Sequence, residues 1–126
     1  MNISHISLLS LPVADQDRAK EFYVNKLDFK VIRDIPMGPD QRWVQIALEN
    51  AQTSIALVTW FDSMKSGSSK GLVLETTDLD SDVAALREAG IELEGNDIQE
   101  QPWGRFVTFT DPDGNGIILQ STSPNI

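Results

Sequence analysis

The sequence predicts an α+β protein built from two tandem strand–helix–three-strand (βαβββ) modules. Three observations carry that reading. The chain repeats itself at one nearly constant offset, its apolar pattern changes from strand to helix spacing at matching points in both copies, and turn-forming residues close the elements at corresponding places. The 126 residues fit a single domain, 1–126. It consists of module 1 (about 3–58), module 2 (about 71–121) and a 59–70 linker rich in Ser, Gly and Lys.

The repeat comes first, because overlooking it misassigns a fold. A shift of 63 positions lays Leu8–Ala19 over Gly71–Asp82, so that Asp15 meets Asp78 and Asp17 meets Asp80. The same shift lays Arg42–Ala47 over Arg105–Thr110, and with one residue removed Ile55–Leu57 falls on Ile117–Leu119. Three matches in order at nearly one offset define two copies of one unit.

The elements follow in order. Ile3–Val13 and Gly71–Thr77 are rich in β-branched and leucine residues and read as opening strands. Asp15 and Asp78 are good N-caps, since a carboxylate there accepts from the free N–H groups of a helix's first turn. Ala19, Phe22, Tyr23 and Leu27 then recur at helical spacing, as do Val83, Leu86 and Ala89. Gly90 stops the second helix in the left-handed conformation that glycine adopts most easily, and Asp28 holds the matching place in the first copy as a poorer stop. Three strands are expected after each helix: Phe29–Ile35, Trp43–Leu48 and Thr53–Val58, then Ile91–Glu94, Arg105–Thr110 and Gly116–Gln120. Between the last two, Asp111-Pro112-Asp113-Gly114-Asn115-Gly116 is dense turn chemistry and predicts a hairpin.

Composition removes several functions. Without cysteine the chain has no disulfide, no thiolate metal ligand and no thiol nucleophile. Ten basic against nineteen acidic residues, a net charge of −9, argue against nucleic acid and against anionic membrane surfaces. That balance favours neutral or cationic small ligands. The N-terminus lacks the pattern of a signal peptide and no apolar run approaches the ~20 residues of a membrane helix, so a soluble cytoplasmic protein is expected.

Several motifs resemble the vicinal oxygen chelate superfamily, which includes glyoxalase I, extradiol dioxygenases, fosfomycin-resistance enzymes and bleomycin-binding proteins. They are the tandem modules, Pro12-Val13-Ala14-Asp15 entering the first helix, Phe22-Tyr23 within it, Pro102-Trp103-Gly104-Arg105, and Asp111-Pro112-Asp113-Gly114-Asn115. The resemblance spans essentially the whole chain. It implies a curved mixed sheet around a cavity, helices on the outer faces, and a homodimer that completes the pockets.

Metal-dependent members of that superfamily take ligands, usually His, Glu or Gln, from the first and last strands of each module. Seven residues before the helix-entry aspartates stand Leu8 and Gly71, and the last-strand positions are Ala56 and Ile118. None of the four can donate to a metal. His5, the single histidine, lies three residues before Leu8, where strand alternation turns it to the other face. No metal and no cofactor is expected.

If Gly71 faces inward, Val73 and Glu75 do too, with Ile6, Leu8 and Ser10 in the first copy and Leu72, Leu74 and Thr76 toward the helix. The closing strands add Ser54, Ala56 and Val58, and Gly116, Ile118 and Gln120. Val44, Ile46 and Leu48 are expected under the helix, which leaves Trp43 and Gln45 on the cavity side. The candidate ligand-binding set is therefore Leu8, Ser10, Trp43, Gln45, Ala56, Trp60, Gly71, Glu75, Trp103, Arg105, Ile118 and Gln120. Glu75 is the one charge expected inside. It is read as a counter-ion for a cationic ligand, a general base if burial raises its pKa, or a structural partner of Arg105 or Arg42, the two arginines that otherwise suit an acidic ligand group.

The function expected is metal-free binding or sequestration of a neutral or cationic small molecule in a largely apolar cavity, of the glyoxalase/bleomycin-resistance type. The alternatives are a glyoxalase- or dioxygenase-like metalloenzyme with displaced ligands drawn from Glu75, Gln120 and His5, and a metal-free lyase or isomerase using Glu75 as base.

Overall fold

A computed structural model describes residues 1–123 of the protein. The chain divides into two compact units. Unit 1 is Met1–Ser68 together with Pro112–Asn115, and unit 2 is Ser69–Asp111 with the chain from Gly116 onward.

Unit 1 contains β1 (Leu8–Pro12), α1 (Gln16–Glu21) continuing as a π-helical turn over Phe22–Lys26, β2 (Lys30–Gly38), β3 (Gln41–Ala47) and β4 (Ser54–Val58). Its sheet runs β1-β4-β3-β2, with β1 parallel to β4 and the other pairs antiparallel. Unit 2 contains β5 (Leu72–Glu75), α2 (Leu79–Glu88), a 3-10 turn at Glu94–Asn96, β6 (Gln99–Gln101), β7 (Gly104–Thr110) and β8 (Gly116–Thr122). Its sheet runs β5-β8-β7-β6 in the same pattern. The fold is α+β, with two βαβββ modules that each form a mixed four-stranded sheet.

Strand register reproduces the sequence repeat residue by residue. Ser10 pairs with Ala56 as Val73 pairs with Ile118, and Gln45 pairs with Ala56 as Thr108 pairs with Ile118. Because side chains alternate along a strand, a slip of one residue in either copy would turn the wrong set toward the helix. Of the expected helix-facing residues Val44 and Ile46 are buried and Leu72, Leu74 and Thr76 half-buried, and Leu57, Val107, Phe109 and Ile117 are buried as well. Leu48 departs from expectation. It lies just past the end of β3 and is 37% exposed.

Both helices are capped as expected. Asp15 accepts from the Arg18 N–H and Asp78 from the Ser81 N–H, each at 3.1 Å. Asp28 does stop the first helix, with φ of 62° against 82° at Gly90. A helical run is expected through Leu27, but the chain widens into the π-helical turn at Phe22. The wider turn lets the adjacent Phe22 and Tyr23 both reach the core, where Tyr23 packs edge-on against Phe22 and Phe29.

Two opening expectations need correction. β4 begins at Ser54, whose N–H donates to the Ser7 carbonyl at 3.0 Å, so residues before Ser7 lie beyond the end of β4 and β1 starts at Leu8. Ile91–Glu94 is not a strand: Ile91 and Leu93 are buried, but positive φ at Gly95 and Asn96 turns the chain, and the partner of β7 is Gln99–Gln101.

The hairpin between β7 and β8 forms as expected, but the fate of its tip is not legible in the sequence. Residues 112–115 belong to unit 1. The Asp113 Oδ1 accepts from the Ala14 N–H at 2.9 Å and from the Arg18 guanidinium at 3.0 Å, and the Asn115 amide donates to the Pro12 carbonyl at 2.8 Å. Gly67, expected in a loose linker, donates to the same Pro12 carbonyl at 3.2 Å with φ of 78°. A Cβ there would lie 2.0 Å from the Asp113 carbonyl oxygen, so only glycine fits. Gly67→Ala should therefore lower stability by about 2–4 kcal/mol in urea denaturation. Gly71→Ala, with open space around its Cβ, should be neutral or mildly stabilising. Equal midpoints for the two variants would contradict this account of the tip.

Candidate functional site

In each unit the helix packs on one face of the sheet, α1 against β3 and β4 and α2 against β7 and β8. The opposite face is free of helix and carries the strand residues expected to meet a ligand, apart from Arg105, which stands on the helix side with Val107 and binds Asp80 of α2.

In unit 2, pairing across three strands sets Glu75, Gln120 and Phe106 in one row. Trp103 stacks on Phe106 with centroids 5.4 Å apart and rings 18° from parallel. Ile118 occupies the next row with Val73 and Thr108. Gly71 lies just before β5 and leaves open space where a side chain would stand. A recess of about 360 Å³ bounded by Pro102, Arg105, Ser121 and Thr122 adjoins the row, at the small end for a drug-sized ligand.

Glu75 is exposed and fully engaged. One carboxylate oxygen accepts from the Thr122 N–H at 2.8 Å, and the other from the Thr122 hydroxyl at 2.8 Å and the Gln120 amide at 3.1 Å. The Thr122 backbone N–H, then its hydroxyl, then Gln120 hold the carboxyl below its ordinary pKa, against a weaker opposing effect of burial. Two expectations are corrected here. Among the described residues Glu75 has no arginine partner, and its pKa is lowered, which makes it a weaker base and removes the support for a general-base role.

In unit 1, Gln45 shares its row with Ala56 and Ser10. The Trp43 indole N–H donates to Gln45 Oε1 at 3.0 Å, and Gln45 Nε2 donates to the Ser54 hydroxyl at 2.7 Å. An indole nitrogen can only donate, so the amide orientation is fixed. Trp43 stacks on Trp60 at 6.2 Å and 27°. Leu8 and Ser10 are half-buried, whereas Ala56 is fully buried and offers a ligand no surface within its unit.

Arg42 and Arg105 are engaged by carboxylates. Arg42 binds Asp34 and Asp17, each at 2.7 Å, and Arg105 binds Asp80 at 2.9 Å. Asp17–Arg42 and Asp80–Arg105 are the same pair in the two copies, tying the first turn of each helix to its module's third strand. Their members align in the repeat, but the pairing itself was not expected, since the sequence offered these arginines to Glu75 or to an acidic ligand group. Hydrogen bonds from Arg42 and then Lys20 hold Asp34 well below the usual carboxylate range.

The donor set does not suit a metal. Leu8, Ala56, Gly71 and Ile118 carry no ligating atom, and among the described residues no group of three or more His, Cys, Asp or Glu side chains converges. The proposed substitutes do not supply one. His5 is exposed ahead of β1 and hydrogen-bonded to Ser4, while Gln120 turns its amide N–H toward Glu75. No helix among the described residues is long and apolar enough to cross a membrane.

With this geometry in place, the class is plain: residues 2–119 match the family model of the Glyoxalase/Bleomycin resistance protein/Dioxygenase superfamily, and the chain belongs to that family. Among solved structures it is similar to TnmS3, an antibiotic binding protein from Streptomyces sp. CB03234. The two are 46% identical, with 98% of this chain and 99% of that chain covered and a TM-score of 0.91. It is also similar to a superfamily member from Sphaerobacter thermophilus DSM 20745, at 32% identity, 96% and 99% coverage and a TM-score of 0.87. The YetH protein of Bacillus subtilis (strain 168) is 34% identical over 121 residues, 94% of this chain and 98% of its own length.

The Asp34 pairing generates a pH prediction. Its folded pKa lies below its unfolded value of about 4, so its contribution is present above that value and is lost as pH falls through the folded pKa. Asp34→Asn should cost about 1 kcal/mol at pH 7, allowing for solvent screening. The gap from the parent should narrow as pH falls below about 4 in pH-dependent urea melts. A gap that is constant across that range would contradict the pairing.

Proposed function

We propose that the protein is a metal-free small-molecule-binding protein of the antibiotic-binding type, acting in the cytoplasm on a neutral or cationic ligand. The observation that carries this is the row formed by Glu75, Gln120 and Phe106 with Trp103 stacked on it. It holds a carboxylate ionised beside an aromatic platform, which is the chemistry that attracts a flat cation. The likeness to TnmS3, described as an antibiotic binding protein, supports the reading. So does the absence of ligating atoms at Leu8, Ala56, Gly71 and Ile118.

Under this proposal the ligand-binding residues are Leu8, Ser10, Trp43, Gln45, Trp60, Gly71, Glu75, Trp103, Ile118 and Gln120 on the helix-free faces, with the two modules serving one domain over 1–126. Ala56 and Arg105 have backing roles, the first as buried packing and the second through its Asp80 pair. A homodimer is part of the reading. The edge strand β2 exposes Ile35 and Met37 at 47% and 44%, and β5 exposes Val73 at 46%, apolar surface that a second copy can cover.

The flat cation 9-aminoacridine is a suitable probe. Glu75→Gln keeps the shape of the side chain and should weaken its binding about fivefold in isothermal titration, a modest effect because the carboxylate is exposed. Trp103→Ala should weaken it by a similar factor. Unchanged affinity in both variants would refute the site. A mass near that of two chains is expected by light scattering at about 10 μM, as closed twofold dimers are the commonest assembly. A mass of one chain would refute the dimer.

A further inference from the structure

The unit 1 sheet carries a feature without counterpart in unit 2. β2 runs for nine residues, Lys30–Gly38, where β6 has three. Its pairing with β3 shifts between Val31 and Arg33, so Ile32 forms a β-bulge. In unbroken register Val31 opposite Ile46 would be followed by Ile32 opposite Gln45 and Arg33 opposite the helix-facing Val44. The bulge instead sets Arg33 opposite Gln45 and Asp34 opposite Val44. One inserted residue therefore sends Asp34 to the helix side, where it meets Lys20 and Arg42, and sends Arg33 to the helix-free face. Re-aiming a side chain is what bulges do beside binding sites.

On that face Arg33 is exposed and forms no ion pair or side-chain hydrogen bond among the described residues, unlike Arg42 and Arg105. Its neighbour Gln45 accepts from the Trp43 indole and gives one amide hydrogen to Ser54, which leaves it a second N–H to donate. In the next pair along the strands stand Ile35 and Trp43, and Trp43 carries the stacked Trp60. The patch thus presents two kinds of group: N–H donors, one of them a guanidinium, and an aromatic face.

We propose that Arg33 and Gln45, beside the Trp43–Trp60 stack, form a subsite for the acidic oxygen of a flat aromatic ligand, an aromatic carboxylate or phenolate. A guanidinium donates two parallel hydrogen bonds to a carboxylate, and the adjacent indole packs on the ring that bears it. The chemistry is opposite to that of Glu75, so the helix-free face of each unit, taken by itself, favours a ligand group of opposite charge. The inference rests on the small-molecule reading above only in taking the helix-free faces as ligand surfaces.

The test compares anthracene-2-carboxylate with neutral anthracene-2-methanol by isothermal titration at low ionic strength. The parent should bind the carboxylate about tenfold more tightly than the alcohol. Arg33→Gln should abolish that preference while leaving affinity for the alcohol unchanged. Lys65→Gln, which removes the same net charge from an exposed loop, should retain it. No preference in the parent, or a preference that survives in Arg33→Gln, overturns the proposal, as does its equal loss in Lys65→Gln. Thermal melts of both variants establish that they fold. Glu75→Gln titrated with 9-aminoacridine separates the two sites. If it weakens the cation while Arg33→Gln leaves the carboxylate unaffected, the Glu75 reading stands and this subsite fails; the reverse pattern leaves this subsite and removes the other.

Discussion

The pairing of each module's first strand with its last, in parallel, is the constraint on which the rest of the structure depends. Parallel neighbours cannot be joined by a tight turn, so the chain must leave the sheet and return, and it does so first through a helix. That helix covers one face of the sheet. β1 with β4 and β5 with β8 hold this register, and through it every residue of the two copies is assigned to the helix side or to the free side. Apolar residues at the helix-side positions form the core, and Gln45, Glu75, Phe106 and Gln120 fall on the other side.

Much of this could be read directly from residue order. The offset that aligns Leu8 with Gly71 is the offset of the strand registers, because both copies must bury the same alternating positions to fold. Asp15 and Asp78 announced their helices through local capping chemistry, and the Asp111–Gly116 turn announced its hairpin. What escaped was set by contacts far apart in sequence or by small backbone departures. The tip at 112–115 binds Ala14, Arg18 and Pro12, about a hundred positions away, and no local pattern reports that. The π-helical turn and the bulge at Ile32 each insert one residue's worth of backbone, and periodicity arguments assume there is none. The strand expected at Ile91–Glu94 failed because alternation marks burial and not pairing.

The charged residues show the same division. Repeat alignment matched Asp17 to Asp80 and Arg42 to Arg105, and the structure joins aspartate to arginine in both copies, so these ion pairs are a structural property of the module. They account for the two arginines that composition alone offered to an acidic ligand. Glu75 differs because position 75 is matched by Pro12 in the first copy. A carboxylate present in one module and absent from the other is not part of the repeated framework. Its partners, Thr122 and Gln120, stabilise the ionised form without supplying a positive charge, which leaves its electrostatic attraction for a cation uncancelled.

Binding through side chains, with no metal, is the central claim. It is tested most directly by elemental analysis of protein purified without chelator, combined with titration of 9-aminoacridine before and after treatment with EDTA. The account predicts Ni, Zn, Mn and Fe well below one equivalent per chain after dialysis, and the same affinity in both titrations. A full equivalent of any of these metals surviving dialysis, with affinity lost on chelation, would contradict it.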